Sequence, residues 1–140
     1  MMTPETLHDT MGLTRIITLD PAGRAQIEYA ATMAQCHSGG VVQGGFVTGW
    51  IDAAMAHAVI AKMGNDAVPM TLELKVSFFA PARPGPVIAE AWLVKAGRRT
   101  VFAEGTLSDG QGTVLAKASS TLMMADRRKV EAAALAATSA

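Results

Sequence analysis

The sequence predicts a single α+β domain in which one curved antiparallel sheet wraps one long helix. Three features predict it. Residues 44–62 carry apolar side chains at helical spacing over more than half of the helix circumference. Two extended segments precede that run, and four segments of β pattern follow it, separated by short turn-like stretches. A helix that is apolar nearly all round needs cover on most sides, and one curved sheet supplies it.

The elements follow in order. "TPETLHDT" opens a short helix, with Thr3 as N-cap and Pro4 at the first helical position. "LTRIITL" and "RAQIEYAA" read as extended segments joined by the turn "DPAG" at residues 20–23. Residues 36–43 read as a loop. Phe46, Val47, Trp50, Ile51, Ala54, Met55, Ala58 and Val59 then mark the buried face of the long helix, and Gly64 is its expected C-cap. Gly45 and Gly49, one turn apart, are expected to admit another backbone closely. In "MTLELKVSFFA", Leu72, Leu74, Val76 and Phe78 alternate with Thr71, Glu73, Lys75 and Ser77, which places the two sets on opposite faces. "PVIAEAWLVK", "TVFAEGTLS" and "TVLAKASSTLMM" are three more strands. The connectors "PARPG", "AGRR" and "DGQG" are short enough to join antiparallel neighbours. One domain is expected over residues 1–124, with 125–140 a frayed helix or a disordered tail.

Composition narrows the function classes. The 140 residues are 50% hydrophobic and 17% charged, with mean hydropathy +0.26. Lys plus Arg and Asp plus Glu are 12 each, so the formal net charge is zero. With 5% aromatics and no basic excess, a nucleic-acid partner is not expected. The apolar bias suggests surface buried in an oligomer. Cys36 is the single cysteine, so neither an internal disulfide nor a multi-cysteine metal centre can form. His8, His37 and His57 have no ligand spacing, and no metal is expected. The start lacks a signal-peptide pattern and no run of roughly 18 apolar residues occurs, so a cytoplasmic protein without a membrane partner is expected.

Asp52 is the anomaly. It sits alone among apolar residues, and its helical neighbours Thr48, Gly49, Met55 and Ala56 offer no cation. A buried unpaired carboxylate is costly, so Asp52 faces either water or a cavity. Upstream, "GGVVQGG" leads into the helix at Gly44 and Gly45, whose N–H groups have no partner inside the helix and can hold a developing oxyanion. Gly44 and Asp52 are ~12 Å apart along a straight helix, too far for one small reacting group to span.

The run "HSGGVVQGGFVTGWIDAA" and the strand "TLELKVSFFAPARPG", with "VKAGRRTVFAEGTL" and "GTVLAKASSTLMM" beyond it, resemble the hotdog fold. More closely, residues 10–124 resemble the phenylacetyl-CoA thioesterase (PaaI-like) branch of the acyl-CoA thioesterases. That branch carries Asn, five residues, His-Gly-Gly, six residues, then Asp or Glu. Here Gln43-Gly44-Gly45 takes the His-Gly-Gly place, Asp52 the acid's place, and His37 the Asn's place.

The resemblance implies hydrolysis of an acyl-CoA or aryl-CoA thioester. Asp52 would be general base or nucleophile, and the Gly44 or Gly45 N–H would polarise the carbonyl. Gln43 would position the carbonyl or carboxylate. His37 would orient the acid or protonate the leaving thiolate, or have no role. Thr71, from the partner subunit, would hold water or the acid. Coenzyme A belongs to the substrate, so no separate cofactor is implied. Phe78, Phe79, Ala80, Pro81, Arg83, Lys95, Gly97, Arg98 and Arg99 are candidates for its pantetheine groove and phosphates. Phe46, Val47, Trp50 and Met55 line an acyl pocket or are simply core, while Gly49 and Ala53 leave room beside them. A homodimer or homotetramer is implied. Two alternatives remain: a hydratase or dehydratase of acyl thioesters, which also pairs a loop His with a helix acid, and a non-catalytic acyl-CoA-binding dimer.

Overall fold

The computed structural model describes residues 6–138. The elements are α1 (Leu7–Met11), β1 (Leu13–Asp20), β2 (Arg24–Ala31), β3 (Cys36–His37), β4 (Val41–Val42), α2 (Gly44–Met63), β5 (Ala67–Phe78), β6 (Gly85–Ala96), β7 (Thr100–Asp109), β8 (Val114–Asp126) and α3 (Arg127–Thr138). Six strands form one antiparallel sheet in the order β1-β2-β6-β7-β8-β5. α2 lies in its concave face.

The helix is apolar because that sheet surrounds it. Trp50, Ile51, Ala54, Met55, Ala58 and Val59 are fully buried. The sheet meets them with small residues: Ala25, Ala89, Ala91, Ala103, Ala116 and Ala118 face inward and are buried. Large helix side chains against a floor of alanines let the two layers approach closely. Trp50 stacks on Tyr29 with ring centroids 6.0 Å apart and an interplanar angle of 25°. By length and composition alone α2 could cross a bilayer; the enclosing sheet accounts for its apolar character here.

Several local expectations need correction. The first helix begins at Leu7, capped by Thr6, whose side chain and that of Asp9 form a reciprocal capping box; Thr3 and Pro4 lie outside the described residues. The 36–43 stretch is not all loop, since Cys36–His37 pairs with Val41–Val42. β5 starts at Ala67 and contains Pro69, which an edge strand tolerates because one side of it has no ladder to complete. Nor does "PARPG" join neighbours. β5 pairs only with β8, while β6 pairs with β2 and β7, so residues 79–84 carry the chain across the end of the sheet. β8 runs through Asp126, and α3 follows it with no buried residue of its own.

The simple alternation along β5 also fails. The pairing slips between Thr71 and Glu73, and this bulge turns Thr71 to the helix side together with Leu74 and Val76. Leu72 is left 61% exposed and Phe78, at the strand's end, 55%. The close approaches expected at Gly45 and Gly49 are to side chains of Gln43 and Met11 within this chain. Between helix and sheet the tight glycine is Gly105, where a Cβ would stand 2.8 Å from Ile51 Cγ2 and 3.0 Å from the Glu90 carbonyl oxygen.

Gly105→Ala is therefore expected to cost about 2 kcal/mol, because the Glu90 backbone cannot retreat without parting the sheet; the denaturant midpoint measures it. Burial pushes the Tyr29 phenol up to about 12 from 10.0. A raised pKa keeps the proton on the native state while the unfolded chain loses it, so stability is intact below about pH 10 and falls toward pH 12. Tyr29→Phe should flatten that alkaline decline relative to wild type in thermal melts taken across the range.

Candidate active site

The helix sets Asp52 at the margin of the core, half-buried on the side of α2 that faces β5. The β5 bulge brings Thr71 to it, and the Thr71 hydroxyl donates to Asp52 Oδ1 at 2.8 Å. That bond lies within one chain, whereas the resemblance implied a Thr71 contributed by a partner subunit. Among the described residues Asp52 has no cationic partner. Among the described residues no side chain donates to its second oxygen.

The glycine-rich entry of α2 forms the second part. Gln43 is the N-cap, and its Oε1 accepts the Gly45 N–H at 2.8 Å. The Gly45 N–H is thus occupied, whereas the Gln43 side-chain amide keeps its N–H donors for a carbonyl. Gly44 is the member of the trio that lines a cavity. This space of about 400 Å³ is walled by His37, Val41, Val42, Gly44, Val47, Phe78, Phe79, Ala80, Pro81 and Ala82. It unites Gly44, His37 and four of the proposed pantetheine residues. Helix N-terminal polarity and a missing Cβ make Gly44 suited to a developing negative charge.

Asp52 and Thr71 do not line that cavity. Among the described residues no hydrogen bond or ion pair joins His37 to Asp52. Thr48, between Gly44 and Asp52 on the helix, turns its hydroxyl back onto the Gly44 carbonyl at 2.8 Å. The β5–α2 seam therefore runs from the cavity at Gly44 and Phe78 to the Asp52–Thr71 pair.

Residues 39–116 match the family model described as the thioesterase superfamily, more than half of the chain. This chain belongs to the thioesterase superfamily. A protein of Saccharolobus solfataricus, provisionally named an esterase, is 32% identical over 99 residues, 71% of this chain and 65% of that protein. The match thus spans less than two thirds of that relative's length. The crystal structure of a phenylacetic acid degradation-related protein from Ralstonia eutropha JMP134, provisionally described as a thioesterase, is 33% identical with TM-score 0.78, covering 86% of this chain and 92% of that one. A Streptococcus mutans UA159 protein solved bound to acetyl CoA shares the fold alone, at 16% identity and TM-score 0.72, over 79% of this chain and 87% of that one. The chain is a hotdog protein with PaaI-like neighbours, as its motifs imply.

The remaining candidates of this thioesterase-superfamily chain separate. Lys95, near the end of β6, and Arg98 and Arg99, in the β6–β7 turn, are exposed at the opposite end of the sheet from Phe78. Gly97 closes that turn, donating to the Thr100 carbonyl at 2.8 Å; a Cβ there would stand 2.9 Å from the same oxygen. Val47, Trp50 and Met55 are core residues, although Val47 also reaches the cavity wall. Trp50 is further tied by its indole N–H to the Met11 carbonyl at 2.8 Å. His57 donates Nδ1–H to the Ala53 carbonyl at 2.7 Å and meets the His8 ring. Cys36 donates its thiol to the Thr32 carbonyl. The pattern of the sequence did not mark Val41, Val42 or Ala82, because a wall built by two distant loops leaves no local signature.

Gln43→Ala should lower stability by about 1 kcal/mol by removing the cap on Gly45, measured by chemical denaturation.

Proposed function

We propose that this protein hydrolyses an acyl-CoA or aryl-CoA thioester. The observation that carries the reading is Asp52: a carboxylate on an apolar helix, held on one oxygen by Thr71 and faced by no cation. Membership in the thioesterase superfamily supports the reaction class. The acetyl-CoA found on a protein of the same fold supports the leaving group.

The site is completed by a second copy. β5 has an unpaired outer edge, and its exposed Met70, Leu72 and Phe78 make it a template for pairing. An antiparallel partner paired along β5 sets Thr71 and Asp52 of one chain beside Phe78 and Gly44 of the other. This removes the ~12 Å gap along the single helix. The same pairing carries the β6–β7 turn of the second copy, with its Lys95, Arg98 and Arg99, to the cavity end of the first. Those cations suit the phosphates of coenzyme A, since Arg binds phosphate in a forked geometry.

In the proposed reaction the acyl carbonyl oxygen points at the Gly44 N–H. Asp52 takes a proton from water as the water oxygen adds to the carbonyl carbon, or adds to that carbon itself. The negative charge collects on oxygen at the helix N-terminus. The carbon–sulfur bond then breaks, and the thiolate leaves and takes up a proton. His37, on the cavity wall, is placed to donate it. On the covalent route water then cleaves the mixed anhydride, freeing the acyl group as the acid and restoring the Asp52 carboxylate; in single turnover in ¹⁸O-water, label entering Asp52 marks that route.

The test is thiol release from a panel of short, medium, long and aryl acyl-CoAs. Asp52→Asn should lose about a hundredfold or more in kcat. No wild-type turnover on any of them would overturn the reading. Gly44→Pro removes the N–H at a position where proline suits a helix and should also be weak. Mixing the Asp52→Asn and Gly44→Pro proteins should restore turnover, because one site of each mixed dimer is then intact. Absence of restoration would refute the shared site.

A further inference from the structure

Arg83 stands in residues 79–84, the segment that crosses from β5 to β6. Its guanidinium Nη1–H donates to the Gly39 carbonyl at 3.1 Å. Nearby, the Val42 N–H donates to the Ala82 carbonyl at 2.8 Å. These two bonds tie the crossing segment to the loop that leads into α2. The loop has little else at its tip. Gly39 and Gly40 have φ of +79° and +69°, and nothing lies within 4 Å of where a Gly39 Cβ would be. Ser38 and Gly39 are exposed. A tip without packing is placed by its hydrogen bonds. On one side of it stands His37, and on the other β4, Gln43 and Gly44.

The surroundings of Arg83 argue against a phosphate ligand. It lines a neighbouring groove of about 570 Å³ together with Asp109, not the cavity that holds His37 and Gly44. A carboxylate in that groove disfavours a second anion.

We propose that Arg83 is a positioning residue: it clamps the glycine tip so that His37 and the Gly44 N–H keep their places on the cavity wall. The inference rests on the reaction proposed above. It assigns Arg83 to the loop rather than to coenzyme A.

The test compares Arg83→Ala and Arg83→Lys with wild type on two thioesters of one acyl group, the acyl-CoA and the acyl-N-acetylcysteamine, which lacks the nucleotide and its phosphates. A clamp predicts that Arg83→Ala lowers kcat roughly threefold to tenfold on both substrates, the size expected for one lost hydrogen bond. KM for the acyl-CoA should stay near wild type, and Arg83→Lys should recover part of the loss. A KM rise confined to the acyl-CoA would overturn the proposal and make Arg83 a phosphate ligand. Equal kinetics for wild type and Arg83→Ala would also overturn it. Amide hydrogen exchange over residues 38–45 provides a readout independent of activity. The clamp predicts exchange roughly threefold to tenfold faster in Arg83→Ala, and unchanged exchange refutes it. If the wild type cleaves no thioester, the proposed reaction fails while the exchange measurement still decides the clamp.

Discussion

The burial of α2 is the constraint on which the rest of the structure depends. A 20-residue helix satisfies its interior backbone groups internally but presents apolar side chains in most directions, so one flat layer cannot cover it. The sheet must curl. Its inner alanines permit the curl to close tightly, and Gly105 lets Ile51 reach the sheet backbone. The strand order follows the same demand. β6 leaves β5 and pairs with β2, so the first two strands join the later ones in a single wrap.

That wrap ends at a seam, and Asp52 lies on it. Asp52 would be costly at the centre of the core, where no cation faces it. On the β5 side of the helix it finds a hydroxyl and partial access to solvent. The bulge after Thr71 is what supplies the hydroxyl. In a regular strand, residues 71 and 74 would point to opposite faces; the slipped pairing puts both toward the helix. The bulge also exposes Leu72 on an unpaired edge, so one local irregularity shapes both the surroundings of the acid and the outer edge of the sheet.

The glycine-rich entry shows a comparable division of labour. Gln43 spends its side-chain oxygen on the Gly45 N–H, which starts the helix firmly. Gly44 remains on the cavity wall. Helix capping and cavity lining thus fall to adjacent residues, and the exposed loop before them is held from across the end of the sheet by Arg83 and Ala82.

The sequence by itself determined the extent of α2, the β segments around it, the isolation of Asp52 and the motif order of the thioesterase superfamily. These are legible because periodicity, capping and turn chemistry act over a few residues. Tertiary structure alone decided that β5 lies at the edge beside β8, that Thr71 turns inward, that Gln43 is occupied as a cap, and that Lys95, Arg98 and Arg99 stand at the far end of the sheet from Phe78. Each of these depends on which distant strand or loop competes for the same backbone groups. A short connector such as "PARPG" suits a hairpin and a crossing equally, and only the demand of the buried helix for a closed wrap selects between them.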